Sequence, residues 1–444
     1  MNGVTEYVLR GCRPYGKDPV NVWVRDGIIA GIGADLVPSS DDVGMIDADG
    51  LVLLPGLVDL HTHLREPGDE NAETLATGSR AAAAGGYTDV FAMANTNPVT
   101  DSVERVEALR KAAGAQFDCR VHPVGAVTVG LAGTRLAPLA ALSAAGVHVF
   151  SDDGRCVDDA GLMFAALRLG AEHGFLVAQH AQHGELAGAG QINAGLAATV
   201  TGLEPWPGVA EETVIARDVV LAAETGGALH VCHLSTARSV EVIRWAKEQG
   251  WSVTAEVTPH HLLLDDALAA VGDPLYKVNP PLRSHADVDA LRQAVRDGTI
   301  DVVATDHAPH STERKSGCWA GAAFGMTGLE TALAVVAAVL EEEGATDWAM
   351  VARLMSETPA RLGRIGATAG RPLQAGEPAT FCLVDTRSSW TVQTKEQHSK
   401  SANTPFAGRS FQSSVVGTAI EGRMTHLSGN FARRWPGTNE STLS

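Results

Sequence analysis

Six residues with metal-binding side chains, His61, His63, Asp153, His180, His233 and Asp306, each stand at the close of a short apolar, β-prone run. Residues 51–60 precede the histidine pair, 147–150 precede Asp153, and 175–178 precede His180. Residues 229–232 and 300–304 do the same for His233 and Asp306. Chemistry placed at the C-terminal ends of successive parallel strands is the layout of a (β/α)8 barrel, in which the loops of that face build the site. Spacing along the chain therefore predicts convergence in space, and a metal-dependent hydrolase is the function it points to.

Eight strands are expected, at 53–63, 88–94, 120–127, 147–150, 175–180, 228–233, 252–257 and 300–305. Ala- and Leu-rich stretches at 73–84, 102–113, 160–173 and 237–249 read as intervening helices, the alternation of parallel βα units. Outside this rhythm, 21–32 reads as a hairpin about the Asp26-Gly27 turn, and 45–54 continues in the same style. Strand-like segments recur at 379–384 and 413–418. Neither terminus carries enough apolar surface to stand alone, so both are expected to join in one small β-sandwich. The fold class predicted is α/β, with 1–54 and 371–444 forming the sandwich around a catalytic barrel at 55–370. The polar end, 436–444, is expected to fray.

Thirty-four basic residues against 52 acidic ones give a net charge of −18, which repels phosphate backbones and excludes nucleic acid as a natural partner. The six cysteines are scattered without paired short spacings, so they read as reduced, mostly buried thiols and not as metal ligands. The chain starts without a basic-then-apolar signal, and no apolar run approaches the ~18 residues needed to span a bilayer. A soluble cytoplasmic protein acting on a small molecule is the expectation.

In a strand, alternate side chains share a face, so Asp59, His61 and His63 point the same way and the two imidazoles can chelate one cation. Imidazoles with carboxylates favour Zn2+ or a neighbouring transition ion over Mg2+. Four histidines and two aspartates exceed the needs of one tetrahedral ion, which predicts one or two ions per chain, a pair being bridged by a carboxylate. His122, His148, His173, His230, His398 and His426 have no matching strand-end partner and read as structural or exposed. His260 and His261, after the seventh strand, read as shaping a loop.

The run Asp59-Leu-His61-Thr-His63-Leu-Arg65-Glu-Pro67-Gly68 resembles the opening signature of the dihydroorotases, within the amidohydrolase superfamily. Ala92-Met-Ala-Asn95-Thr-Asn97-Pro98, Phe150-Ser-Asp-Asp153-Gly154, Asn279-Pro-Pro-Leu-Arg283 and Ala304-Thr-Asp306-His-Ala-Pro-His310 extend the resemblance, to the bacterial class I enzymes, over nearly the whole chain. It implies metal ligation by His61, His63, Asp153, His180, His233 and Asp306, with Asp306 also the catalytic proton shuttle for a metal-activated water. It implies that Arg65, Asn95 and His310 hold a substrate carboxylate, with His63, Asn279, Phe324 and Gly325 as further substrate contacts. Pattern alone leaves Asp152 and Asp153 both open as the ligand after the fourth strand; the resemblance favours Asp153. Hydantoinases, dihydropyrimidinases and allantoinases normally carry a carboxylated lysine there, and Ser151-Asp152-Asp153-Gly154 offers none.

The implied activity is the reversible cyclisation of N-carbamoyl-L-aspartate to L-dihydroorotate. A hydantoinase- or allantoinase-type enzyme with an aspartate bridge, and a silent scaffold for aspartate carbamoyltransferase, are the competing readings. A homo-oligomer and a complex with aspartate carbamoyltransferase are the partners the resemblance allows. The chain departs from the commoner pattern at Ala181-Gln182-His183, where an acidic residue is frequent, and in the loop 311–323.

Overall fold

The computed structural model describes residues 6–36, 43–114 and 118–435. The segment expected to fray, 436–444, lies outside the described residues.

Three parallel strands, Leu57–Thr62, Tyr87–Ala92 and Arg120–Pro123, form one arc of a barrel. Five more, Val149–Phe150, Leu176–Gln179, Ala228–Val231, Val253–Val257 and Val302–Val303, form the other. Parallel bridges between Gly125 and Phe150 and between Thr62 and His307 join the arcs at both ends and close the ring. The first two strands are buried along their whole length, because one face meets the barrel interior and the other the helices. Val58, Leu60, Phe91, Val124, Val149, Ala178, Val302 and Ala304 fill the interior.

Local sequence sets the helix ends. Thr74 caps Leu75–Ala84 by accepting from the Thr77 backbone N–H, and the small residues Ala81, Ala82 and Ala83 let that helix sit close on the sheet. Asp159 caps Ala160–His173, which ends where Gly174 takes φ 72°, the left-handed turn that glycine allows. Among the described residues no helix is long and apolar enough to cross a membrane.

The termini meet in a second layer. Strands Glu6–Pro14, Val20–Arg25, Ile28–Gly33, Gly44–Asp47 and Val52–Pro55 join Phe381–Asp385, Ser414–Ile420 and Arg423–Leu427. Glu6–Pro14 belongs to both leaves of the sandwich: Tyr7 to Arg10 pair with Gly44–Asp47, whereas Arg13 and Pro14 pair with Val52 and Leu53. Tyr7, Leu9, Val24, Ile46, Leu53, Phe381, Leu383 and Met424 form the core between the leaves. The Asp26-Gly27 turn has the positive φ values, 50° and 80°, of a two-residue hairpin.

The expected first strand, 53–63, is in fact two. Val52–Pro55 pairs with Phe381–Asp385 in the sandwich, and only Leu57–Thr62 enters the barrel. Gly56 makes the switch, since a Cβ there would stand 2.4 Å from Cγ2 of Thr88. Apolar pattern does not distinguish a strand that changes sheets from one that continues. The segment after Thr391 also surprises: Val392, Phe406 and Phe411 pack into the barrel core, although sandwich strands flank them.

Candidate metal centre

Every strand-end residue singled out above arrives at one end of the barrel. His61 and His63 leave the first strand on the same side. His63 Nε2 is 3.0 Å from Asp306 Oδ1 and 3.3 Å from Asp153 Oδ2, and His61 Nε2 is 3.3 Å from the same Asp153 oxygen. The other oxygen of Asp153 faces a second histidine pair, at 3.1 Å from His180 Nδ1 and 3.3 Å from His233 Nε2. One carboxylate therefore stands between two imidazole pairs, one oxygen to each. Among the described residues three sets of donor atoms lie close enough to share an ion: His61 with His63 and Asp306, Asp153 with His180 and His233, and His61 with Asp153 and Cys232.

Donor chemistry and burial both suit a divalent transition ion. The donors are imidazoles and carboxylates, and all six residues are buried. His61 Nε2 is buried and has no hydrogen-bond partner among the described residues, an acceptor that a cation would satisfy. Burial alone would raise the Asp153 and Asp306 carboxyls, but the facing histidines, His61 foremost, hold both well below the usual carboxylate range. Asp152 turns away and accepts from the backbone N–H groups of Val127 and Thr128, so Asp153 alone faces the cluster. His233 and Asp306 sit at φ 32° and 46°, a sparsely populated conformation that functional positions tend to hold under strain.

Several residues that periodicity could not mark complete the centre. Glu256, in the seventh strand, lies 2.6 Å from His61 Nδ1 and 3.1 Å from His230 Nε2. It fixes the ring of His61 so that Nε2 points at the aspartates, the arrangement that orients metal-binding histidines. A glutamate inside an otherwise apolar strand was the available signal. Gln182 Oε1 plays the same part for His180, 2.8 Å from Nε2, and also accepts from Asn279 Nδ2. The acidic residue frequent after this histidine is thus replaced by a neutral acceptor. Cys232, read from the sequence as no ligand, places its sulfur within 4.8 Å of ligand atoms of His61 and Asp153. Burial, with Glu256 next, pushes its thiol well above the usual range. His230 is structural, held between Thr254 and Glu256, and His261 shapes its loop through Thr258 and the Pro280 carbonyl. His260 is buried with Nε2 unpartnered among the described residues.

Arg65, Asn95 and His310 line the same mouth. Asn95 Oδ1 is 3.0 Å from His63 Nδ1, and Arg65 Nε donates to the Pro309 carbonyl. His310 Nε2 donates to the Phe324 carbonyl at 2.6 Å, and its buried Nδ1 has no partner among the described residues. Burial, reinforced by Arg65, lowers His310 to about 3, so the ring is neutral. Asn403, from the segment between strands Trp390–Thr391 and Ser410–Phe411, ties this rim together: it accepts from His310 N and donates to the carbonyls of Ala308 and Gly325.

Barrel, sandwich and imidazole–carboxylate cluster together define the class, the amidohydrolases. A solved L-hydantoinase (dihydropyrimidinase) from Arthrobacter aurescens superposes with a TM-score of 0.85 over 96% of this chain and 97% of its own, at 26% identity. A family model described as dihydro-orotase-like matches residues 50–239. The dihydroorotase of Streptomyces coelicolor is 52% identical over 96% of this chain and 99% of its own length. That of Leifsonia xyli is 54% identical, covering 95% and 96%. This chain belongs to the dihydroorotase family.

Proposed function

We propose that this chain is a zinc-dependent dihydroorotase, which interconverts L-dihydroorotate and N-carbamoyl-L-aspartate in the ring-closing step of pyrimidine synthesis. The observation that carries the reading is the Asp153 carboxylate, one oxygen toward His61 and His63 and the other toward His180 and His233. That is the place where hydantoinases use a carboxylated lysine. Zinc held by His61, His63, Asp153, His180, His233 and Asp306 would supply Lewis acidity to the reacting carbonyl and lower the pKa of water.

The chain's own residues do the rest. In the hydrolytic direction water adds to the ring amide carbonyl and the carbon–nitrogen bond breaks. Asp306, beside His63, takes the proton from the attacking water and passes it to the departing ring nitrogen. The facing histidines, against burial, hold the Asp306 carboxyl low, so at neutral pH it is in the anionic form that can accept a proton. Ring closure runs the same transfers in reverse and releases water.

Arg65, with Nε engaged by Pro309, offers its Nη pair to the exocyclic carboxylate as a bidentate partner. Asn95 completes that clamp; His310, neutral with Nε2–H on the Phe324 carbonyl, has only the Nδ1 lone pair free and would join it on gaining a proton from the bound acid, and Asn279, with the Phe324-Gly325 backbone, flanks the ring. A ring without the carboxylate would leave these buried groups unpaired, which rejects it by orders of magnitude.

The test pairs metal analysis with substrate comparison. The purified chain is expected to carry one or two zinc ions, to lose turnover of dihydroorotate on chelation, and to regain it with zinc. Turnover of dihydrouracil, the same ring without the carboxylate, should be at least about 10³-fold slower. Comparable rates on both rings would overturn the clamp and favour a hydantoinase.

A further inference from the structure

The loop 311–323 and the turn that follows it are held by two buried lysines with no carboxylate in ion-pair reach of either ammonium among the described residues. Lys277 and Lys315 are 2% and 6% exposed. Lys277 Nζ donates to the carbonyls of Trp319 and Ala320, at 2.8 and 3.3 Å. Lys315 Nζ donates in return to the Lys277 carbonyl and to that of Ala323, both at 3.0 Å. The Lys277 carbonyl accepts a second bond, from the Gly325 N–H at 3.0 Å. Each lysine therefore pins the segment that carries the other, and two of these bonds, Lys315 Nζ to the Ala323 carbonyl and the Gly325 N–H to the Lys277 carbonyl, end on the residues flanking Phe324.

Burying an ammonium without a counter-charge is costly, so full hydrogen bonding to carbonyls is the condition on which such a group persists. Burial, with the charge of Lys277 next, pulls Lys315 down to about 7. A leucine or methionine would fill the same space more cheaply if packing were all that was required. What the two amino groups secure is the substrate side of the mouth. Lys277 Nζ stands 4.3 Å over the Phe324 ring, and Trp206 meets that ring edge-on at 5.9 Å. The Phe324 carbonyl fixes His310, and Lys277 lies two residues before Asn279.

We propose that Lys277 and Lys315 are positioning residues, a reciprocal clamp on backbone carbonyls that holds Phe324, Gly325 and His310 where the substrate carboxylate and ring are received. This rests on the dihydroorotase reading for the identity of the substrate. It places the determinant of substrate affinity in two groups that touch neither the metal ligands nor, on this reading, the substrate. Because the lysines act as one unit, removing either should release most of what removing both releases.

The test uses Lys315→Met, Lys277→Met and the double variant of the full chain. Three readouts are taken: KM and kcat for dihydroorotate, zinc content, and the rate of chymotryptic cleavage at Trp319 and Phe324 under native conditions. Each single variant should raise KM at least tenfold, leave kcat within about threefold and zinc content unchanged, and speed cleavage of the loop by a similar factor. The double variant should be no more than about threefold worse than either single one, the non-additivity expected of a shared unit. Lys315→Arg, which keeps a cation with several donors, should recover most of the protection. Additive KM effects, or a loosened loop with unchanged KM, would overturn the proposal. Should one methionine variant fail to fold, the other and Lys315→Arg still decide it. If the parent chain does not turn over dihydroorotate, the substrate reading fails, while loop cleavage still reports on the clamp.

Discussion

Asp153 and Glu256 divide the labour at the scale of single residues. Asp153 meets both imidazole pairs, one carboxylate oxygen toward each. Glu256 touches no substrate and is not counted among the ligands, yet at 2.6 Å it determines which nitrogen of His61 faces the aspartates. Its carboxyl, which burial would raise, is held down to about 2 by His61 and His230, so it is a full acceptor at any working pH. Replacing it by glutamine keeps the shape and removes the charge. Glu256→Gln should therefore weaken zinc binding by about 10–100-fold, the range for loss of such an orienting partner. Competition with a chromophoric chelator measures this directly. Unchanged affinity would mean that the His61 ring is held by packing alone.

Elements arrive at this centre because ion pairs and caps fix neighbouring strands to one another. On the second barrel strand, Asp89 is fully buried and accepts from Arg120 Nε and Nη2, both at 2.9 Å, and lies 2.8 Å from His122 Nε2 on the third strand. Burial would raise this carboxyl, but His122 and Arg120 lower it below its ordinary value. An acid whose folded pKa is depressed stabilises the fold above its unfolded pKa of roughly 4, and that contribution is lost as pH falls through the lower folded value. Asp89→Asn should cost about 2–4 kcal/mol at neutral pH, below the full figure for a buried pair because Arg120 stays partly wet. Urea unfolding at pH 7 and pH 3 checks it: the gap between wild type and variant should narrow at the lower pH. The sequence made the strand ends legible because ligand type and apolar run coincide there, at His61, Asp153, His180, His233 and Asp306. It could not mark the switch of sheets at Gly56, because both segments are equally apolar. Nor could it mark Asn403 or Lys277, whose value lies in partners distant along the chain, and the spacing of the cysteines said nothing of how near the buried, free Cys232 thiol stands to His61 and Asp153.

At the scale of the whole molecule the barrel and sandwich meet across a cavity of about 640 Å³, lined by Ala84 and Glu330 on one side and Val416, His426 and Phe431 on the other. Glu330 enters this junction with, among the described residues, only backbone partners, the N–H groups of His398 and Ser399 at 2.9 to 3.1 Å. Burial pushes its carboxyl up to about 7, against an ordinary value near 4.5. Here the sign is opposite to that of Asp89. Between about pH 4.5 and 7 the folded chain binds the proton that the unfolded chain has released, so this group lowers stability as pH rises through that window. Glutamine at 330 stays neutral and can accept the same backbone bonds through its amide oxygen. Glu330→Gln should therefore match the wild type near pH 4.5 and exceed it by a few °C in Tm at pH 8. Thermal unfolding of zinc-loaded protein at the two values separates this from effects at the centre, where both chains carry the same ligands. Parallel pH profiles would show that the junction already solvates the carboxylate, in which case burial there costs the fold nothing.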